Sequence, residues 1–581
     1  MKRYAVFALL VIVAMVFTAC APATPQVIEK VVEKTVVVQQ TVEKVVKETV
    51  VVEQTKIVEK PVEKVVTPTP PPPTPTLVVK EGGTLNLWME LAPPHLYPPT
   101  ATDRSSAMIF ELVFDKLLAY DDNQSVQPEL ADKFEIAKDG LTYTVTLKKN
   151  VKWHDGQPLT AKDVKFTVEA MCGKGSVWFT GFKKLKGATD YNEGKAKEVA
   201  GVQVVDDYTI KFSLNETDGG FLNSLVFWVI PEHIFKGLDV DTAVRTAWKP
   251  VGTGPFKFVQ YKEDQFFEFD QNKDYFKGAP HIAKVFMKIA KVDAALAMLE
   301  KGEVDYITDL PATEVDRVKK LPNVKILELP NTSWPWLLGV NVTRGKLGDK
   351  RVRQALMYAL DREAYIKSVM GGHATLLNHQ FPMPAWAQPD PKDINDYKTD
   401  PEKAKALLKE AGWDPKTVIT ILYYPGNKLR DQFAVIAQQN WANVGVKADV
   451  IAMDVARAVE KLQKSDFDIL LSGGSATPDP GKQGMYFMCD STFPKGGANY
   501  YLYCNPKLDE LFKKGQAALT QEERAPIFKE IAKILNDELP WLYLINPNYL
   551  SAVNTRINDM HFNPNIGAER FLDIEKWRLA Q

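Results

Sequence analysis

Residues 67–76 read TPTPPPPTPT, with six prolines in ten positions. Proline lacks a backbone N–H and has a fixed φ, so no helix interior or central strand can run through such a stretch. The chain is therefore cut in two near residue 76, and any folded body must lie on one side of the cut. The run itself forms a stiff, extended spacer of about 3 Å per residue.

The part before the cut is not globular in character. Residues 1–20, MKRYAVFALLVIVAMVFTAC, have Lys2 and Arg3, an apolar run to Phe17 and small residues before Cys20. That is the pattern of a secretory leader, and the run is short for a membrane span. FTAC resembles a bacterial lipobox, with Phe17 departing from the usual leucine. The expectation is cleavage before Cys20 and a lipid on its sulfur, anchoring the protein to the outer face of the cytoplasmic membrane. An ordinary leader and a released protein is the alternative. Residues 29–42 and 43–56, EKVVEKTVVVQQTV and EKVVKETVVVEQTK, repeat with a period of two heptads. A coiled stalk fits the spacing. Valine and threonine are mediocre helix formers and Pro61 interrupts the pattern, which favours an extended tether. We read 1–20 as leader and 21–81 as tether.

The remaining 500 residues are long enough for a large two-lobed body. With 72 Lys and Arg against 73 Asp and Glu there is no basic field to draw nucleic acid. No later segment reaches the apolar length of a membrane span; FLNSLVFWVIPEHIF is broken by Asn223, Ser224 and Pro231. GGTLNLWM reads as a first strand, and LTYTVTLKKNVKW (141–153) alternates as a second. TAKDVKFTVEAM (160–171) starts a helix, with Thr160 as its cap and Asp163 three residues on. Between the last two lies WHDG, whose adjacent His154 and Asp155 invite a catalytic reading. Yet no HExxH, P-loop or GxSxG accompanies them, and the seven histidines are scattered. We read His154 as a turn residue and the chain as no enzyme.

The stretch LADKFEIAKDGLTYTVTLKKNVKWHDGQPLTAKDVKFTVEAM resembles the signature of family 5 extracellular solute-binding proteins. These are the dipeptide- and oligopeptide-type receptors of ABC importers. GTGPFKF (252–258), NKDYFKGAPHI (272–282), LEKGEVDYI (299–307), DKRVRQALMYALDREAYI (349–366), DPEKAKALLKEAGW (400–413) and LPWLYLI (539–545) continue the resemblance in order, over roughly 82–581. It implies an α/β type II periplasmic-binding fold, two lobes around a cleft, with an extra subdomain in lobe I. Lobe I would comprise 82–329 plus 548–581, its extra subdomain lying at about 105–230. Lobe II would be 330–547. The implied function is capture of a solute between closing lobes and delivery to a membrane permease, with ATP spent by a separate subunit. No cofactor is implied. A peptide is the expected ligand; an oligosaccharide, or service to a sensor instead of an importer, is the alternative.

Cys489 and Cys504 flank a segment where dipeptide-type relatives carry a cysteine pair, and an exported protein permits a disulfide between them. Cys172 is left as a buried small hydrophobe. Peptide-binding relatives place an aspartate a few residues before an Asp-Pro, where it pairs with the ligand's free amine. Counting back from Asp479-Pro480 puts Ala476 at that position, so the anchor is missing unless Asp479 substitutes. Thr477 shares the loop. Trp334 and Trp336 lie beside the inferred crossing, and Trp88, Trp178 and Trp386 sit in or next to loops, where flat rings suit a ligand. His373 and His379, without acids or cysteines nearby, are a weak metal signal, and we expect no metal.

Overall fold

The computed structural model describes residues 79–330, 334–382, 384–474, 477–495, 497–563 and 570–580. The leader, Cys20, the repeat, the proline spacer and Ala476 lie outside them. Among the described residues no helix is long and apolar enough to cross a membrane.

Two sheets organise the body. The first has seven strands in the order Val324–Leu329, Tyr549–Asn554, Tyr306–Ile307, Thr84–Met89, Lys284–Ile289, Phe266–Gln271 and Phe256–Lys262. Thr84–Met89, the strand anticipated from GGTLNLWM, is central and pairs in parallel with both neighbours. Period-two alternation puts Phe267 and Phe269, then Val285 and Met287, into one core, which Trp577 and Phe571 close from the C-terminal end. The second sheet has six strands in the order Ala374–Leu376, Trp541–Pro547, Trp336–Val340, Ile469–Gly473, Val418–Tyr423 and Lys447–Ala452. All five residues of Trp336–Val340 are buried, the mark of a strand covered on both faces. We call the body around the first sheet lobe I and that around the second lobe II.

The chain passes from lobe I to lobe II between Leu329 and Trp336, and returns between Pro547 and Tyr549. The strands flanking these crossings are partners on both sides: Leu329 pairs with Tyr549 in lobe I, and Trp336 with Ile545 in lobe II. The strands that flank the crossings thus run side by side as one ribbon. Glu328 braces it, its Oε1 2.9 Å from His373 Nδ1 and accepting from Asn548 Nδ2 at 2.7 Å.

A four-stranded antiparallel sheet, in the order Ala131–Ile136, Thr142–Leu147, Thr209–Ser213 and Val202–Asp206, has its own core between Leu117 and Val229. The helix Ala161–Cys172 covers it and starts with the anticipated reciprocal cap. The Thr160 N–H donates to Asp163 Oδ2 at 2.8 Å, and the other Asp163 oxygen accepts from the Glu232 N–H at 2.9 Å. The strand read as 141–153 stops at Leu147. Beyond it the Lys148 N–H donates to the Leu130 carbonyl, and its amine to the carbonyls of Glu129 and Ala131. Cys172 is buried in this core, and burial pushes its thiol up to about 12.

Candidate ligand-binding cleft

The WHDG turn is scaffold. His154 Nε2 lies 3.0 Å from the Gly254 carbonyl, and its Nδ1 accepts from the Gly252 N–H at 3.3 Å. A neutral ring with hydrogen on Nε2 satisfies both contacts. The imidazole thereby holds the Gly252-Thr253-Gly254 loop, and Thr253 donates to the buried Asp115 at 2.7 Å. Asp155 faces away, 2.8 Å from His233. Burial pulls His154 down from 6.5 to about 4. A base whose folded pKa is depressed contributes stability that is complete above pH 6.5 and lost as pH falls towards 4. The contribution amounts to at most about 3 kcal/mol. We expect His154→Gln to be less stable than the wild type at pH 7 and to lose less stability between pH 7 and pH 5. Urea midpoints at the two pH values measure this; an unchanged difference between them means that His154 does not titrate on unfolding.

The ribbon between the lobes delivers two tryptophans to a cavity of about 740 Å³ that both lobes line. Trp336, 3% exposed, is anchored in the lobe II sheet, whereas Trp334 is 51% exposed. A Cβ on Gly473 would lie 2.4 Å from Trp334 Nε1, so the indole rests against bare backbone that only glycine supplies. Trp178 and Trp228 belong to the same wall.

Lobe I adds charge. Asp103 caps the helix Arg104–Val113 through the Ser106 N–H, and Arg104 is thereby set in the cleft, ion-paired with Asp309. Burial, then the nearby Arg570 charge, lowers Arg104 to about 10, leaving it a cation at neutral pH. Asp309 has φ 52°, a left-handed conformation that aspartate tolerates better than most residues. Arg570 lies 3.8 Å from the Asp309 carboxylate, stacks over the Tyr549 ring at 4.3 Å and donates to the Tyr549 hydroxyl at 2.6 Å. This group was not anticipated. Its one legible signal is Asp309 following the strand in VDYITDL, because ligands of α/β sheets gather at strand carboxyl ends.

The other anticipated residues lie elsewhere. Trp88 is buried in the lobe I core and donates its indole N–H to the Ala290 carbonyl at 2.8 Å. Trp386 packs in lobe II, with Phe528 6.1 Å away and the Arg524 guanidinium over its ring at 5.6 Å. The structure brings neither to the cavity. Thr477 donates to the Asp479 carbonyl at 2.8 Å. Asp479 is buried and paired with Arg524, and the same carboxylate oxygen accepts from the Gly481 N–H. It is therefore engaged within the protein. His379 is drawn down to about 4 by burial. A disulfide joins Cys489 and Cys504.

Arg524 also reaches across the gap. Its Nη1 donates to the Gly219 carbonyl of the four-stranded part at 3.1 Å, and the Gly219 N–H donates to the Gln516 carbonyl at 2.8 Å. Lobe II and the four-stranded part thus touch at a second place, remote in sequence from the ribbon.

Residues 125–495 match the family model described as bacterial extracellular solute-binding proteins, family 5 middle. The oligopeptide-binding protein AppA of Bacillus subtilis (strain 168) is 30% identical over 501 residues, 83% of this chain and 89% of that protein. Among solved structures, the ABC transporter substrate-binding protein CtaP of Listeria monocytogenes aligns with a TM-score of 0.76 at 28% identity. It covers 86% of this chain and 100% of its own. The Bacillus subtilis AppA structure, in complex with a nonapeptide, aligns at 0.69 and 28% identity, over 87% and 100%. With two α/β lobes about a cleft, the fold is that of type II periplasmic binding proteins, and the chain belongs to the family 5 bacterial extracellular solute-binding proteins.

Proposed function

We propose that this protein captures a short peptide between its lobes and presents it to an ABC permease, whose separate ATPase drives import. The carrying observation is the 740 Å³ cavity that both lobes line, within the roughly 300–1,000 Å³ of small-ligand sites. The peptide-binding relatives support the choice of ligand. In this reading lobe I is 82–329 plus 548–581 with its subdomain at about 105–230, and lobe II is 330–547. Ligand stabilises the closed arrangement and is then handed on. Trp334 and Trp336 form the ligand's aromatic floor, and no bond is made or broken. Titration calorimetry with a short-peptide pool and an oligosaccharide pool tests the reading. Peptides bind, and Trp334→Ala weakens them about tenfold, the loss of one well-packed ring face. Heat from oligosaccharides alone decides for the other ligand class.

The same proposal places the body outside the cytoplasmic membrane, held by a lipid on Cys20. Several acyl chains on one cysteine exceed the marginal hold of a single chain. In cells, Cys20→Ser shifts the protein from the membrane fraction to the soluble fraction with peptide affinity unchanged. A variant that still sediments with membranes removes the lipid from the account.

A further inference from the structure

The lobe I wall of the ligand cleft carries two guanidiniums, Arg104 and Arg570, and two carboxylates, Asp103 and Asp309. Both carboxylates are engaged. Asp103 accepts from the Ser106 N–H at 2.8 Å and from the Ser106 hydroxyl at 2.6 Å. Asp309 is flanked by both arginines, ion-paired with Arg104 and 3.8 Å from Arg570 Nε. Arg570 is turned inward, with 4% of its side chain exposed. Arg104 differs. Its side chain is 41% exposed, and Nη2 makes its contacts, to the Asp309 carboxylate and to the Thr308 hydroxyl at 3.2 Å. Among the described residues, Arg104 Nε and Nη1 donate to no group. The opposite wall has no acid to offer them. From lobe II the cavity takes Trp336, Met370, Asn427 and Leu429, none of them charged, and His373, which lies against Glu328.

We propose that Arg104 meets a carboxylate of the bound peptide, either its C-terminus or an acidic side chain; this rests on the peptide reading above. A guanidinium presents its N–H groups in a fixed planar fork. Asp309 and Thr308 keep Nη2, and the N–H groups of Nη1 and Nε remain for a ligand. Two cations about one anion leave Arg104, Asp309 and Arg570 with a net positive charge, so a carboxylate is drawn to them and an ammonium is not. Phe110, Trp228 and Leu310 line the same cavity, and apolar surroundings strengthen a charge pair once the ligand has displaced water.

The test is titration calorimetry with two pairs of short alanine peptides. The first pair differs only in a free against an amidated C-terminus; the second is amidated throughout and carries one glutamate or one glutamine. The wild type should prefer the acid of one pair by about tenfold, the size of one charge-assisted hydrogen bond. Preference within the first pair assigns the carboxylate to the C-terminus, and within the second to a side chain. Arg104→Gln should bring the ratio to near one, and Arg104→Lys, which keeps the charge without the fork, should retain part of it. Asp309→Asn releases Nη2 and should widen the ratio, since asparagine also tolerates the left-handed backbone there. Equal affinity within both pairs, or a ratio that survives Arg104→Gln, overturns the role of Arg104 and leaves the peptide reading intact. If no peptide binds, the peptide reading falls, and trigalacturonate against its methyl ester tests Arg104 by itself. A preference for the acid that Arg104→Gln removes then upholds the role, and any other result overturns it.

Discussion

Gly219→Ala should weaken ligand binding about 100-fold while leaving each lobe folded. A Cβ at position 219 would lie 1.8 Å from the Ala518 carbonyl oxygen, far inside van der Waals contact, and its two nearest atoms both belong to the Ala518 backbone. The clash disappears only if the four-stranded part moves away from lobe II. That separation breaks the hydrogen bonds from Gly219 to Gln516 and from Arg524 to Gly219. One neutral and one charge-assisted bond together are worth roughly 2–4 kcal/mol. Apparent affinity falls with the fraction of molecules able to close, so this converts to about two decades. Small-angle scattering of the ligand-saturated variant should show the open form persisting. Affinity within a few-fold of wild type, with a compact scattering profile, means that the contact plays no part in closure.

Ala476→Asp should raise affinity for free-amine peptides by about ten- to 100-fold over their N-acetylated counterparts. On our proposal Ala476 takes the place of the aspartate that peptide-binding relatives pair with the ligand's amine, and a charge-assisted hydrogen bond contributes about 1.5–3 kcal/mol. The wild type should bind free and acetylated peptides within a few-fold of each other. Asp479 does not fill the role in this conformation, since Arg524 and the Gly481 N–H already hold it. The measurement is calorimetric titration of wild type and variant with a matched free and acetylated pair. A strong preference of the wild type for the free amine points to another carboxylate, and Asp309, in the cleft beside two arginines, is the first to mutate.

Features written in local sequence were legible in advance. Thr160 and Asp163 are three residues apart, and their reciprocal cap fixes where the helix begins. Trp334 and Trp336 stand at a lobe crossing, and both line the cavity between the lobes. Trp88 and Trp386 carried the same local signal, an indole in or beside a loop, but the one fills the lobe I core and the other supports Arg524. Local sequence does not distinguish an indole that stacks on ligand from one that stacks on protein. The Arg104, Asp309 and Arg570 group was hidden for another reason. Its members are separated by hundreds of residues and meet only through the order of strands in the lobe I sheet.

The ribbon that joins the lobes has a consequence for how the chain becomes folded. Trp541–Pro547 lies between Ala374–Leu376 and Trp336–Val340 in lobe II, and Tyr549–Asn554 lies between Val324–Leu329 and Tyr306–Ile307 in lobe I. Both are interior strands, and both come from one stretch near the C-terminus. Until that stretch emerges, each sheet has an unfilled slot and an edge strand with nothing to pair to. Neither lobe can complete its sheet early, and the long sequence separation of these pairings makes them slow to form. For a chain exported as proposed above, this keeps either half from locking prematurely, and both halves complete together when residues 541–554 arrive.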